Sequence, residues 1–219
     1  MTNFNPYDNA DTGTTLVAIK YNGGVLLASD CLVTRGVIIS DRGHKKVYEI
    51  SPSPLKFGSI KVLGCGNSAH IQMVTKYVHN YLNHYVMELG ENQQIKMETV
   101  VTLYRNICYN NKNFISAAFI ISNGEEIYSI CSGGMSQKER IYSSRGSGGI
   151  YISGFLKDKV KEGMNFYETR EIAVKALALA ITHDGSSGGN MRIVDLKNNG
   201  TFSEELLMNS EVRKLVEAQ

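Results

Sequence analysis

The spacing of apolar residues changes period twice along this chain, and that pattern limits the folds open to it. The early segments read as strands. Thr15 to Ile19 and Val25 to Ser29 run apolar or alternate about Asn22-Gly23-Gly24, and an Asn-Gly pair between apolar runs signals a hairpin. Lys45 to Ile50 and Ser59 to Leu63 are further strand candidates. Then Ile71, Val74, Val78, Leu82, Tyr85 and Leu89 recur at three- and four-residue spacing, the stripe of an amphipathic helix that Gly90 can stop. Val100, Leu103, Tyr104 and Ile107 mark a second helix, Thr99 to Asn110. Strands return at Ser116 to Ile121, Glu126 to Cys131 and Arg140 to Ser144, punctuated by Gly124 and Gly133-Gly134. A helix from about Phe166 to Thr182 precedes two last strands, Met191 to Leu196 and Phe202 to Leu207, which turn at Asn198-Asn199-Gly200. Strands and helices segregated into blocks imply an α+β layered domain of antiparallel sheets with helices packed outside, not a parallel α/β sheet.

At 219 residues with 42% hydrophobic content, the chain can bury one large core. No linker or internal boundary is visible after Gly13. A formal charge of +2 without a basic block argues against nucleic acid and against an anionic membrane as partners. No apolar run is long enough to span a bilayer, and the polar start MTNFNPYDNADTG has no secretory pattern. These features predict a cytoplasmic or nuclear protein. Cys31, Cys65, Cys108 and Cys131 are widely spaced, and the histidines form no H-E-x-x-H. Neither a metal site nor a cofactor is expected.

The chemistry centres on Gly13-Thr14-Thr15, between the polar leader and the first strand. Were the Gly13–Thr14 bond cut, Thr14 would carry a hydroxyl beside a free α-amine, whose reference pKa of about 7.7–8 lets it accept the hydroxyl proton near neutrality. In the intact peptide bond that nitrogen is an amide and cannot act as the base. Taken alone, the tripeptide is also a common way to begin a strand. Asp30 ends the second predicted strand and Lys46 begins the third; side by side, these strands would bring the pair to the end of the first. A lysine there favours a threonine alkoxide, and an acid would orient the lysine. An ordinary surface ion pair is the other reading.

Gly64-Cys65-Gly66-Asn67-Ser68 lies between a strand and the first long helix. Its glycines permit close backbone approach, Asn67 or Ser68 can cap the helix, and a backbone N–H at a helix start suits an oxyanion. Arg145-Gly146-Ser147-Gly148-Gly149 lacks the G-K-[ST] ending of a phosphate loop. Asp184, Ser187 and Ser147 can form a polar cage around the α-amine and a lytic water. Each of these segments, taken singly, is also an ordinary turn.

As an ordered set, G-T-T at 13–15, Asp30, Thr34, Lys46, G-x-G at 64–66, G-S-G at 146–148 and D-G-S-S-G-G at 184–189 resemble the catalytic beta subunits of the proteasome core particle, which are amino-terminal nucleophile hydrolases. The resemblance runs from Gly13 to about Leu207. It implies a four-layer αββα sandwich, two antiparallel sheets inside and helices outside. It implies residues 1–13 as a propeptide cut at Gly13–Thr14, residues 14–219 as a single catalytic domain, and Thr14 as nucleophile. Asp30 and Lys46 would stand behind it, with Ser147, Asp184 and Ser187 around the amine and the Gly66 N–H as oxyanion donor. Thr34 and Gly66 would pair with the substrate backbone as an added strand, and Val33, His44, Tyr48, Gly64 and Ser68 would also contact substrate. The implied partners are other beta subunits, alpha-ring subunits and unfolded or ubiquitin-targeted polypeptides.

D-G-S-S-G-G, Ala176-Leu177-Ala178-Leu179-Ala180 and Gly133-Gly134-Met135 are most similar to the caspase-like, first beta subunit. Its preference for acidic residues comes from a basic residue that aligns with Gly64 here. A glycine is expected to leave a deep, uncharged pocket lined by His44 and Tyr48, favouring larger or apolar side chains. Cys31-Leu32 stands where the family usually has Ser-Arg, which removes a charge beside Asp30. Pro52 and Pro54 suggest a lengthened hairpin loop. An inactive ring subunit would have no reason to keep Thr14, Asp30, Lys46, Ser147, Asp184 and Ser187 together. The D-G-S-S-G-G segment weighs against another amino-terminal nucleophile enzyme.

Overall fold

The computed structural model describes residues 13–35, 38–50, 59–88 and 95–217. In chain order its elements are β1 (Leu16–Tyr21), β2 (Gly24–Asp30), β3 (Val33–Arg35), β4 (Ile38–Asp41), β5 (Val47–Ile50), β6 (Ile60–Gly66), α1 (Ser68–Glu88), α2 (Met97–Asn110), β7 (Ala117–Ser122), β8 (Ile127–Ile130), β9 (Ser136–Glu139), β10 (Tyr142–Arg145), α3 (Gly149–Lys159), α4 (Phe166–His183), β11 (Met191–Lys197), β12 (Phe202–Leu207) and α5 (Asn209–Glu217). One five-stranded sheet has the order β10-β1-β2-β11-β12, and the other β5-β6-β7-β8-β9. All neighbours within both sheets are antiparallel.

The two-residue period of a strand builds the layers. In β1, Leu16 and Ala18 face the other sheet, while Val17, Ile19 and Tyr21 face the helices. The inter-sheet layer is completed by Val25, Leu27, Val47, Leu63, Cys65, Ile120, Ile127, Val194 and Leu196. On one outer side α1 and α2 pack Ile71, Val74, Val78, Leu82, Val100 and Tyr104 against Ile60, Val62 and Phe119. On the other, α3 and α4 pack Ile152, Leu156, Ala173, Ala176, Leu177 and Ala180 against β1 and β2. The result is the expected αββα sandwich.

Local chemistry sets the helix ends. Asn67 Oδ1 accepts from the N–H groups of Ala69 and His70 at 3.0 and 3.2 Å, so Asn67, not Ser68, caps α1. At α4, Asn165 and Glu168 form a reciprocal capping box. Leu89, Gly90, Pro52 and Pro54, and the leader up to residue 12, lie outside the described residues.

Several expectations need correction. Lys46 does not begin a strand; β5 starts one residue later, at Val47. Nor do the strands ending at Asp30 and following Lys46 lie side by side: β2 pairs with β1 and β11, and β5 belongs to the opposite sheet. The ribbon β3–β4, the polar strand β9 and the helices α3 and α5 also went unread. Among these, α3 begins inside the Gly-rich loop and buries only Gly149, Ile152 and Leu156, too short a stripe to stand out.

Candidate active site

Thr14 lies two residues before β1, the strand held between β2 and β10. The continuing register sets Thr15 beside Asp30, and the two residues exchange hydrogen bonds: the Asp30 N–H donates to Thr15 O at 3.2 Å, and the Thr15 N–H donates to Asp30 Oδ1 at 2.8 Å. Asp30 is completely buried. Its Oδ2 accepts from the N–H groups of Leu32 and Gly188 at 3.2 and 3.1 Å. A buried carboxylate needs such saturation, because an unpaired charge there is costly.

The remaining donor to Asp30 comes from the other sheet. Lys46, its side chain 6% exposed, lies just before β5 and reaches Asp30 Oδ1 at 2.9 Å. The same ammonium donates to Thr14 Oγ1 at 3.0 Å and lies 3.4 Å from the Gly13 carbonyl oxygen. Thr14 Oγ1 itself lies 2.5 Å from that oxygen. Sequence reasoning placed Asp30, Lys46 and Thr14 together, and the structure does so by facing sheets instead of adjacent strands. A positive charge here can stabilise an alkoxide on Thr14 or a negative charge growing on the Gly13 carbonyl.

A second cluster meets the Thr14 nitrogen. Ser147 and Ser187 each donate to Asp184 Oδ2 at 2.6 Å. With the Ser147 proton directed there, its oxygen accepts from the Thr14 N–H at 3.2 Å. By the same count Thr15 Oγ1 must be the donor in its 2.7 Å contact with Ser187 Oγ. Thr15 therefore belongs to the network, although sequence reasoning treated it only as part of the G-T-T motif. Asp184 is placed by the end of α4, where its N–H donates to Ala180 O at 2.7 Å.

Two glycines let these loops close. Gly146 has φ +89°, and a Cβ there would lie 2.0 Å from Thr14 O. Gly66, at φ +111°, packs so tightly that a Cβ would approach Ser116 O at 2.6 Å.

A cleft beside Thr14 is lined by Gly13, Leu32, Val33, His44, Lys46, Tyr48, Gly64, Gly66, Ser68 and Ile71. The expected substrate contacts thus converge, apart from Thr34, which sits next to Val33 on β3. With Gly13 in place the cleft has a volume of about 20 Å³. Leu32 and Ile71 are lining residues that were not anticipated: Leu32 reads as a charge lost beside Asp30, and Ile71 as part of the apolar stripe of α1. Burial raises the Tyr48 phenol above its usual range, partly offset by Gln72. Burial also pushes the Cys31 thiol up to about 11, with Arg192 opposing and Asp30 reinforcing the shift. Among the described residues no three His, Cys, Asp or Glu side chains are grouped to hold a metal ion.

A family model described as "Proteasome subunit" matches residues 10–196. The chain belongs to the proteasome subunit family. It is 32% identical to "Proteasome subunit beta type-6" of Arabidopsis thaliana over 193 residues, covering 86% of this chain and 79% of the relative. It is 34% identical to "Proteasome subunit beta type-6" of Dictyostelium discoideum over 199 residues, 88% and 89% of the two chains. "Probable proteasome subunit beta type-1" of Schizosaccharomyces pombe is 34% identical over 193 residues, 86% and 81% of the two. This proteasome beta subunit therefore comes from a family whose members assemble with other proteasome subunits. Among its described residues no helix is long and apolar enough to cross a membrane.

Proposed function

We propose that this beta subunit is an active threonine endopeptidase that releases its own leader. The observation that carries the reading is the single ammonium of Lys46 bonded to both buried Asp30 and Thr14 Oγ1, at 2.9 and 3.0 Å. A subunit that only built a ring would gain little from a buried charge pair aimed at a threonine hydroxyl.

The first reaction is intramolecular. Thr14 Oγ1 attacks the Gly13 carbonyl carbon, Lys46 supports the oxygen that becomes negative, and the C–N bond breaks. The hydroxyl proton ends on the departing Thr14 nitrogen, leaving an ester. Water hydrolyses the ester to a Gly13 carboxylate and restores the hydroxyl. Residues 1–13 leave as a propeptide, and residues 14–219 form the mature catalytic domain.

The new α-amine then serves as base for peptide substrates. It takes the Thr14 Oγ1 proton, the alkoxide attacks the scissile carbonyl, and the Gly66 N–H supports the oxyanion. The amine returns its proton to the leaving peptide nitrogen, and water clears the acyl-threonine ester. Ser147, Asp184 and Ser187 orient the amine and the water. Thr34 and Gly66 align the substrate backbone, while Val33, His44, Tyr48, Gly64 and Ser68 contact its side chains. The enzyme works in a stacked-ring particle with other beta and alpha-ring subunits, in the cytoplasm or nucleus, on unfolded or ubiquitin-targeted chains.

The caspase-like type fits the ordered motifs, but among the described lining residues the one ammonium, Lys46, is committed to Asp30. The preferred side chain is therefore uncharged. The test is the intact mass of the assembled subunit together with peptide hydrolysis while the other active sites are blocked. Loss of residues 1–13 and cleavage that depends on Thr14 are expected. A leader retained in the mature particle overturns the assignment in favour of a structural subunit.

A further inference from the structure

Position 64 is glycine, yet the space beside it is filled. The alternation along β6 sends Ile60 and Val62 toward α1 and α2, and Leu63 and Cys65 toward the other sheet. Gly64 therefore faces α1. A Cβ built there would meet Ile71 Cγ2 at 2.4 Å, Cγ1 at 3.2 Å and Cδ1 at 3.3 Å. Nearly the whole Ile71 side chain thus lies in the volume that a residue at 64 would use. Ile71 is 4% exposed and packed within the helix-side core, so it is not free to swing away.

The consequence is a cleft closed from beneath. Release of the leader takes Gly13 out of the lining, but Ile71, Leu32 and Val33 remain in it beside His44, Tyr48 and Ser68. Among the described lining residues there is no carboxylate, and Lys46 is the one ammonium or guanidinium. An acidic side chain meets no lysine or arginine there besides Lys46, whose ammonium is held by Asp30, with the His44 imidazole as the other basic group of the lining. The volume beside Gly64 that a large ring would use is taken by Ile71.

The geometry points to Ile71 as the residue that sets specificity, restricting the position before the scissile bond to small uncharged side chains of about alanine to valine size. This rests on the proposed reading of the cleft as the substrate side-chain site. It also reverses the size preference expected from Gly64 alone, because the glycine admits its neighbour, not the substrate.

The experiment uses the assembled particle with its other catalytic threonines substituted. It measures kcat/KM for fluorogenic peptides ending in alanine, valine, leucine, phenylalanine and aspartate. The unsubstituted subunit should favour alanine or valine. Ile71→Ala should raise the leucine-to-alanine ratio roughly tenfold, the lower range for added methylenes in an apolar pocket. Ile71→Val, a milder change, should move the ratio in the same direction if the alanine variant fails to assemble. Unchanged ratios in assembled variants with Thr14-dependent cleavage overturn the role of Ile71 alone. A wild-type preference for phenylalanine or aspartate does the same. Cleavage that survives Thr14→Ala overturns the proposed function, and the specificity claim falls with it.

Discussion

Replacing Asp30 by Asn preserves side-chain shape while removing the charge on which the site is organised. Asp30 receives four donors, with Thr15 N–H and Lys46 on Oδ1 and Leu32 N–H and Gly188 N–H on Oδ2. An amide has one accepting oxygen, so in either orientation its NH2 group confronts two donors. Each buried donor left without an acceptor costs about 1–3 kcal/mol, giving roughly 2–6 kcal/mol for the pair. That is a large part of the roughly 5–15 kcal/mol by which domains are stable. A domain of this length loses about 2–4 °C per kcal/mol, so the melting temperature should fall by on the order of 10 °C. Lys46 also loses the partner that holds its ammonium beside Thr14 Oγ1, so on the proposed mechanism leader release should slow. Thermal unfolding of the purified chain and a mass-spectrometric time course of leader release measure the two effects separately. A melting temperature within about 2 °C of wild type, with leader release at the original rate, would refute the reasoning.

Ser147→Ala removes the acceptor of the Thr14 N–H but leaves Asp184 bonded to Ser187. Peptide kcat should fall about 100-fold with little change in KM, as for loss of an acid–base positioning group; steady-state kinetics on the processed particle check this. Burial pushes the Cys31 and Cys108 thiols up to about 11 and Cys65 up to about 12. A raised thiol pKa means less thiolate, so iodoacetamide at pH 8 should label half-buried Cys131 first, as read by peptide mapping.

The sequence made the layers legible wherever one face of an element carries a long stripe. Ile71, Val74, Val78 and Leu82 announce α1, and the Asn22-Gly23 turn announces the β1–β2 hairpin, where Gly23 adopts φ +126°. It hid elements whose burial is slight. Among its described side chains α5 buries Val212 alone, and β9 is a polar strand at a sheet edge. The site residues were legible as an ordered set of motifs, yet the geometry joining them was not. Nothing local to Lys46 says that it meets Asp30 from the facing sheet, because that relation belongs to the stacking of the sandwich. Ile71 was concealed for a related reason. Its place in the helical stripe accounts for its burial and gives no sign that the same methyl groups close a cleft.

With the proposed role of Thr14 as nucleophile, the partnership of Asp30 and Lys46 across two sheets gives assembly of the core a say in when reactivity begins. A hairpin of β1 and β2 can hold Thr14 near Asp30, but the ammonium arrives only with β5 and the inter-sheet layer of Leu16, Leu27, Val47 and Leu63. On the proposed mechanism, Thr14 stays an ordinary alcohol until that layer closes. On the proposed function, a chain whose sheets have not yet stacked lacks the ammonium its chemistry needs, and the finished interior is itself the licence to react.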